Sequence, residues 1–114
     1  MRPLAAILAM GLIACGASYP APTDQFAGAQ KGLGQAQEAG AVNVPDAKLH
    51  LQLAQESLSK AKELMDRDNE RATSLVARAS AEAELAYSIA RRARAQNEAQ
   101  QANDALNKAK GGGS

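Results

Sequence analysis

Few residues in this sequence have the type and spacing that chemistry requires. There is one cysteine, Cys15, and one histidine, His50. Together they can form neither an internal disulfide nor a four-ligand zinc site. Asp46 is the one carboxylate that lies three or four residues from His50. A metal-binding or general-base role for His50 is therefore disfavoured, and we expect a packed or hydrogen-bonded side chain.

An acidic cluster, Asp66, Asp68 and Glu70, is the next candidate site. A calcium-binding EF-hand loop also needs a glycine at its turn and a closing glutamate at its twelfth position, and this sequence has neither. No serine has histidine and aspartate companions in a triad spacing, and no glycine-rich loop opens a helix with Lys-Ser or Lys-Thr. The sequence therefore predicts no enzyme, with no catalytic residue, no metal site and no cofactor.

A short basic cluster, Arg91, Arg92 and Arg94, could bind phosphate, lipopolysaccharide or an anionic polymer. Glu84 and Glu98 are close in sequence, so a solvated face of mixed charge is favoured. The formal net charge of the chain is +1, whereas nucleic-acid-binding domains normally carry a basic excess. We therefore expect no nucleic-acid partner.

The N-terminus has the pattern of an export signal. Arg2 precedes an eleven-residue apolar run, residues 4–14, which is too short to span a bilayer but suits the apolar region of a signal peptide. The run ends in Leu12-Ile13-Ala14-Cys15-Gly16, which resembles a bacterial lipobox. An ordinary signal peptide with a chance cysteine, or a buried N-terminal helix, is the alternative.

The lipobox pattern implies that Cys15 is the lipid attachment residue. In proteins with this pattern the thiol receives a diacylglycerol group, and the signal peptidase for lipoproteins cuts between Ala14 and Cys15. Two or three acyl chains would hold the protein on a membrane. Gly16, where an aspartate often retains lipoproteins on the inner membrane, favours the outer membrane with the protein facing the periplasm.

Three helical segments are predicted after an extended linker. Segment one covers about Asp24 to Gly40, with Thr23 as its N-cap. Segment two covers about Pro45 to Arg67, and segment three about Asn69 to Ala109. The apolar residues of segment one recur at spacings of three and four, the period of a helix, at Phe26, Ala29, Leu33, Ala36 and Gly40.

Segment two carries two apolar stripes. The first is Ala47, Leu51, Ala54, Leu58, Ala61 and Met65, and the second is Leu49, Leu53 and Leu64. At 100° per residue the two stripes are about 130° apart. Such a helix needs two neighbours, so we expect segment two to lie in the middle of the packing.

Segment three is Ala-rich and long. Its stripe is Ala72, Leu75, Val76, Ala79, Ala83, Ala86, Ala90 and Ala93, after which the same face turns polar. Packing should therefore stop near Ala93, while helix propensity stays high to Lys110. Residues 66–69 are expected to form a turn, although they contain neither Gly nor Pro. One continuous helix, as in a parallel coiled coil, is the alternative.

These elements predict an all-α fold, a three-segment helical hairpin or bundle with a long, partly projecting C-terminal helix. The predicted divisions are a signal peptide at 1–14, the lipidated cysteine and linker at 15–23, a helical domain at 24–95, a projecting helix end at 96–110 and a flexible tail at 111–114.

The pattern of Gly40, Ala41 and Pro45, followed by Ala54, Leu58, Ala61, Ala72, Leu75, Ala79, Ala83 and Ala86, resembles a family of small bacterial envelope lipoproteins known as domain of unknown function 4398. The resemblance covers roughly residues 21–95. It implies a lipobox and an Ala-rich helical body. Some members also carry a peptidoglycan-binding domain like that of outer-membrane protein A, which has no counterpart in this sequence.

Three functions are compatible with these expectations. The first is a non-enzymatic spacer or adaptor, anchored by its N-terminal lipid, that contacts another envelope protein or associates with itself. The second is a helical module that binds a small ligand or a metal near His50. The third is a cell-wall tether attached through Lys110, although that lysine is not terminal and Pro45 interrupts the single long helix such proteins use.

Overall fold

A computed structural model describes residues 18–112 of the chain. Its elements are α1 (Thr23–Glu38), a single 3-10 turn (Ala41–Asn43), α2 (Pro45–Leu64) and α3 (Asn69–Gly111). Residues 18–112 form no strand. The predicted all-α bundle with a long, partly projecting C-terminal helix is confirmed.

Helix α1 begins one residue earlier than the sequence predicts, at Thr23 instead of Asp24. The N-cap is Pro22, and Thr23 is the first helical residue, with no side-chain cap. The carbonyl oxygen of Pro22 accepts a hydrogen bond from the backbone N–H of Phe26 at 2.9 Å. Pro22 therefore already accepts the first bond of the helical ladder, which is the role of an N-cap residue.

The connection from α1 to α2 follows the predicted chemistry. Gly40 has φ 93°, in the left-handed region that residues with a Cβ atom rarely adopt. Pro45 occupies the first turn of α2, where its missing N–H leaves no helical hydrogen bond unmade.

The turn between α2 and α3 is the one predicted at residues 66–69, and the alternative of one continuous helix is wrong. Helix α2 ends at Leu64, three residues before the predicted end at Arg67. Asp66 has φ 68°, and its backbone N–H donates to Asn69 Oδ1 at 2.8 Å. Asp68 Oδ1 accepts from the backbone N–H of Arg71 at 3.1 Å and caps α3. Side-chain hydrogen bonds thus replace the glycine or proline that usually marks a turn.

Helix α3, not α2, is the central element. It packs extensively against both α2 and α1, whereas α1 and α2 share only a narrow contact. The expectation that segment two lies in the middle is therefore wrong. The alanine stripe of α3 explains the arrangement, because small side chains let two helices approach the same backbone closely. The first stripe of α2 is buried from Ala47 to Ala61, whereas Met65, just past the end of α2, is only half-buried. Leu49 of the second stripe is 53% exposed.

The core consists mainly of alanine and forms two clusters along the bundle. One contains Ala29, Leu58, Ala61, Val76 and Ala79. The other contains Ala36, Ala41, Ala47, Leu51, Ala86 and Ala90. Residue numbers therefore rise in the same direction along α1 and α3 and in the opposite direction along α2.

The last part of α3 extends beyond its neighbours. All residues from Arg94 to Gly112 are exposed, in agreement with the predicted end of packing near Ala93. The helix ends at Gly111 rather than near Ala109, so the first glycine of the expected flexible tail is helical. At 1.5 Å per residue, the exposed part of the helix is about 27 Å long. No helix within residues 18–112 has the length and apolarity needed to cross a membrane.

Candidate functional site: the two ends of the bundle

The N-terminal segment is fixed at the end of the bundle that carries the α2–α3 turn. The side-chain amide of Asn69 donates to the backbone carbonyl of Tyr19 at 2.8 Å. Pro22 is buried, so the chain before α1 is held at this end by both a hydrogen bond and packing. The predicted lipid attachment at Cys15 and cleavage between Ala14 and Cys15 lie outside the described residues.

The exposed end of α3 lies at the opposite end of the molecule. The helix starts at Asn69, beside the N-terminal segment, and runs without a break to Gly111. At 1.5 Å per residue these two residues are about 63 Å apart along the helix axis. The bundle is thus a rod with the incoming chain at one end and an unpacked helix at the other.

The exposed helix end has an apolar stripe of its own. It consists of Ala95, Ala99, Ala102, Leu106 and Ala109, spaced alternately by four and three residues. At 100° per residue this stripe is about 140° away from the alanine stripe that packs inside the bundle. Leu106 is 52% exposed. Because the stripe begins where packing against α1 and α2 stops, the bundle itself does not cover it.

Two of the three predicted arginines, Arg91 and Arg94, lie where α1 ends against α3. The guanidinium of Arg91 lies 5.6 Å from the centre of the Tyr87 ring and donates to its hydroxyl at 3.3 Å. Arg94 pairs with Glu98 at 3.1 Å. An open groove of about 710 Å³ is lined here by Gln35, Glu38, Tyr87, Arg91, Arg94 and Glu98. Its two arginines face two glutamates, which favours the predicted mixed-charge surface over an anion site.

His50 joins α2 to α3. Its Nδ1 lies 2.6 Å from Glu82 Oε2, with the two side chains 25% and 19% exposed. The expectation of a hydrogen-bonded histidine is confirmed, but its partner was missed because Glu82 is 32 residues away in sequence. The position of the turn could have been used to predict this pair. His50 and Glu82 lie at almost equal distances before and after the turn, so antiparallel helices bring them to the same level.

The acidic cluster has structural roles instead of ligand roles. Asp66 and Asp68 form the turn and the cap described above, and Glu70 lies exposed in the first turn of α3. Residues 18–112 contain no group of three His, Cys, Asp or Glu side chains placed to hold a metal ion. Nor does the described part of the chain leave a buried side-chain polar atom without a hydrogen bond.

The comparison with protein families gives one match. The family described as Domain of unknown function (DUF4398) matches residues 24–102. The chain belongs to this family. Neither the curated proteins nor the solved structures gave a match.

The DUF4398 match covers α1 from its second residue, all of α2 and the first 34 residues of α3. It extends past Ala93, where packing inside the bundle stops, and includes Ala95, Ala99 and Ala102 of the exposed stripe. The sequence shared by the family thus reaches into the exposed part of α3.

Proposed function

We propose that this DUF4398 protein is a bacterial envelope lipoprotein, attached through Cys15 to the periplasmic face of the outer membrane, that acts as a non-enzymatic helical spacer or adaptor. The N-terminal lipid holds one end of the rod at the membrane. The exposed end of α3 contacts another component of the envelope.

One observation carries this proposal, namely the opposite placement of the incoming chain and the exposed helix end. The bond from Asn69 to the Tyr19 carbonyl keeps the start of the rod beside the α2–α3 turn. Only two residues separate Ser18, the first described residue, from Cys15. A chain anchored at Cys15 can therefore stand with its α3 end about 60 Å from the bilayer.

The second support is the surface of the exposed helix. An isolated helix end made of alanine, polar residues and a half-exposed leucine gains little from tertiary packing, which normally stabilises helices in proteins. Contact with a partner along Ala95, Ala99, Ala102 and Leu106 would bury this stripe and stabilise the last five turns. A spacer or adaptor uses such a surface directly.

The anchor is tested by labelling cells with a palmitate analogue. We expect the wild-type chain to be labelled and found in the outer-membrane fraction, and Cys15→Ala to lose both properties. An unlabelled wild-type chain would overturn the anchor.

The adaptor role is tested by placing a photo-cross-linking amino acid at Leu106 in the full chain and cross-linking in intact cells. Leu49, which is exposed to the same extent as Leu106 (53% and 52%), is the matched control position. We expect a specific adduct from position 106 that position 49 does not give. Stopping the chain after Ala93 should remove the same partner from a pull-down. Retention of every partner by this truncated chain would refute the adaptor role.

Separate observations bear on the two other functions. Muropeptides attached at Lys110 would replace the adaptor by a cell-wall tether. The ligand-binding module needs a groove at His50, but this side chain is already paired with Glu82, and we do not propose that function.

A further inference from the structure

One apolar surface of the bundle remains uncovered by α1. We call it the outer face and define it by Leu49 and Leu53 of α2 and Leu85 and Ile89 of α3. Leu49 and Leu85 are 53% and 44% exposed, and Leu53 and Ile89 are half-buried. Outside the projecting end of α3, the other large apolar side chains exposed to a similar extent among residues 18–112 are Tyr19 and Val42.

Helix geometry places these four residues on one side of the bundle. Tyr87 lies at the groove formed with the end of α1. Leu85 and Ile89 each differ from it by two residues, or about 200° of helix rotation, and so lie on the other flank of α3. Leu49 and Leu53 belong to the second stripe of α2, which lies about 130° from the stripe that faces the core.

The bond between His50 and Glu82 fixes the levels of α2 and α3 relative to each other. Because the two helices are antiparallel, Leu49 is level with residue 83, about 3 Å along the axis from Leu85. By the same counting, Glu56 is level with residue 76, about 3 Å from the level of Arg78. Both of these charged residues are exposed on the outer face, and neither forms an ion pair within residues 18–112.

We infer that the outer face binds a second copy of this chain in a parallel dimer, with its two-fold axis along the rod. This rests on the proposed function, because two chains anchored in one membrane have their N-terminal ends on the same side. Rotation about that axis lays α2 of one copy over α3 of the other and keeps the levels unchanged. Leu49 then meets Leu85 of the second copy, and Glu56 meets Arg78 of the second copy.

Charge and size both support a second copy as the occupant. The rotation brings the Glu56 carboxylate opposite the Arg78 guanidinium twice, once on each side of the axis. By the same counting Lys60 meets Arg71, but the Asp68 carboxylate lies 4.0 Å from that guanidinium and offsets its charge. The face is about 30 Å long, from the 20 residues of α2, and two helices or about 20 Å wide. Its area of about 600 Å² in projection approaches the roughly 800 Å² per partner of a standard stable interface.

The arrangement is tested by disulfide cross-linking in cells between two full-length copies with different tags. One copy carries Glu56→Cys and the other Arg78→Cys. The dimer predicts a mixed disulfide that carries both tags. The control pairs Glu56→Cys with Arg92→Cys, positions that the parallel dimer keeps about 24 Å apart along the rod. Chains without an introduced cysteine report any background from Cys15.

Recovery of the Glu56–Arg78 product, with little of the Glu56–Arg92 product, supports the parallel dimer. The reverse result, or no product above background, overturns it. In co-purification of the two tags, Glu56→Arg or Arg78→Glu alone should lower recovery at least tenfold, and both changes in every chain should restore it. Equal recovery from all variants would also overturn the inference.

Two further variants separate this inference from the proposed function. Leu49→Glu combined with Leu85→Glu should abolish self-association but keep the partner adduct from position 106. Leu106→Glu should keep self-association and lose the partner. If the double variant still self-associates, the outer face is not the interface, even when the adaptor role holds.

Discussion

The contact between His50 and Glu82 shows what a single residue can contribute to a core made mostly of alanine. Alanine side chains bury little area each, so the two helices gain less from apolar contact than a leucine-rich pair would. A polar contact between α2 and α3 that leaves each side chain about one-fifth to one-quarter exposed then becomes a noticeable part of their attraction. It also favours one register, because a one-residue slip would separate the two groups.

We therefore expect a double-mutant cycle on this contact to show coupling. His50→Gln and Glu82→Gln should each lower the free energy of unfolding, and the coupling between them should be about 1 kcal/mol, the usual net value of a hydrogen bond. Urea unfolding followed by circular dichroism measures each corner of the cycle. Glu84→Gln, at an exposed position on the same helix, is the control and should change stability by less than about 0.5 kcal/mol. Additive effects at 50 and 82 would show that the contact contributes nothing to the fold.

At the scale of the helices, local signals in the sequence were sufficient for some features only. Gly40 and Pro45 mark the break between α1 and α2, because a left-handed residue and a missing N–H are properties of single residue types. The stripe of α3 identifies its buried face, because alanines at spacings of three and four residues lie on one side of a helix. The central position of α3 was not predictable from the stripes of α2, since a half-exposed stripe such as that of Leu49 has the same period as a buried one. Which stripe is covered depends on the whole packing.

Replacing glycine by alanine should have opposite effects on stability at two positions, Gly28 in α1 and Gly40 in the turn that follows α1. A Cβ atom at Gly28 would meet nothing within 4 Å, and the residue is helical. Gly28→Ala should therefore stabilise the protein by about 0.5–1 kcal/mol. Gly40→Ala should destabilise it by about 1 kcal/mol or more, because φ at this position is 93°. Thermal unfolding should give midpoints on opposite sides of the wild type, and two shifts of the same sign would contradict the assigned end of α1.

At the scale of the whole molecule, the chain combines a packed rod with an extension that has no tertiary support. Helix α3 has 43 residues, yet only its first 25 or so lie beside α1 or α2. The rest depends on helix propensity and on contacts between successive turns, such as the hydrogen bond from Gln100 to Asp104 at 3.1 Å. Such contacts contribute only about 0.2–0.5 kcal/mol each in isolated helices. A spacer or adaptor function requires that this extension stay helical or become so upon binding.

The distance between the two ends of α3 shows whether the extension is helical in the free protein or becomes helical only upon binding. With Cys15→Ser as background, spin labels at Glu70→Cys and Asn107→Cys are separated by 37 residues, or about 56 Å in a continuous helix. Pulsed dipolar spectroscopy, with labelled chains diluted in unlabelled protein to suppress distances between copies, should give a single narrow peak near that value. Labels at Glu70→Cys and Glu84→Cys, both on the packed part, should give about 21 Å and serve as the reference for width. A narrow reference peak together with a broad, shortened distribution from 70 to 107 would mean that the extension is frayed in the free protein. The spacer would then reach its full length only with a partner bound along Leu106 and its neighbouring alanines.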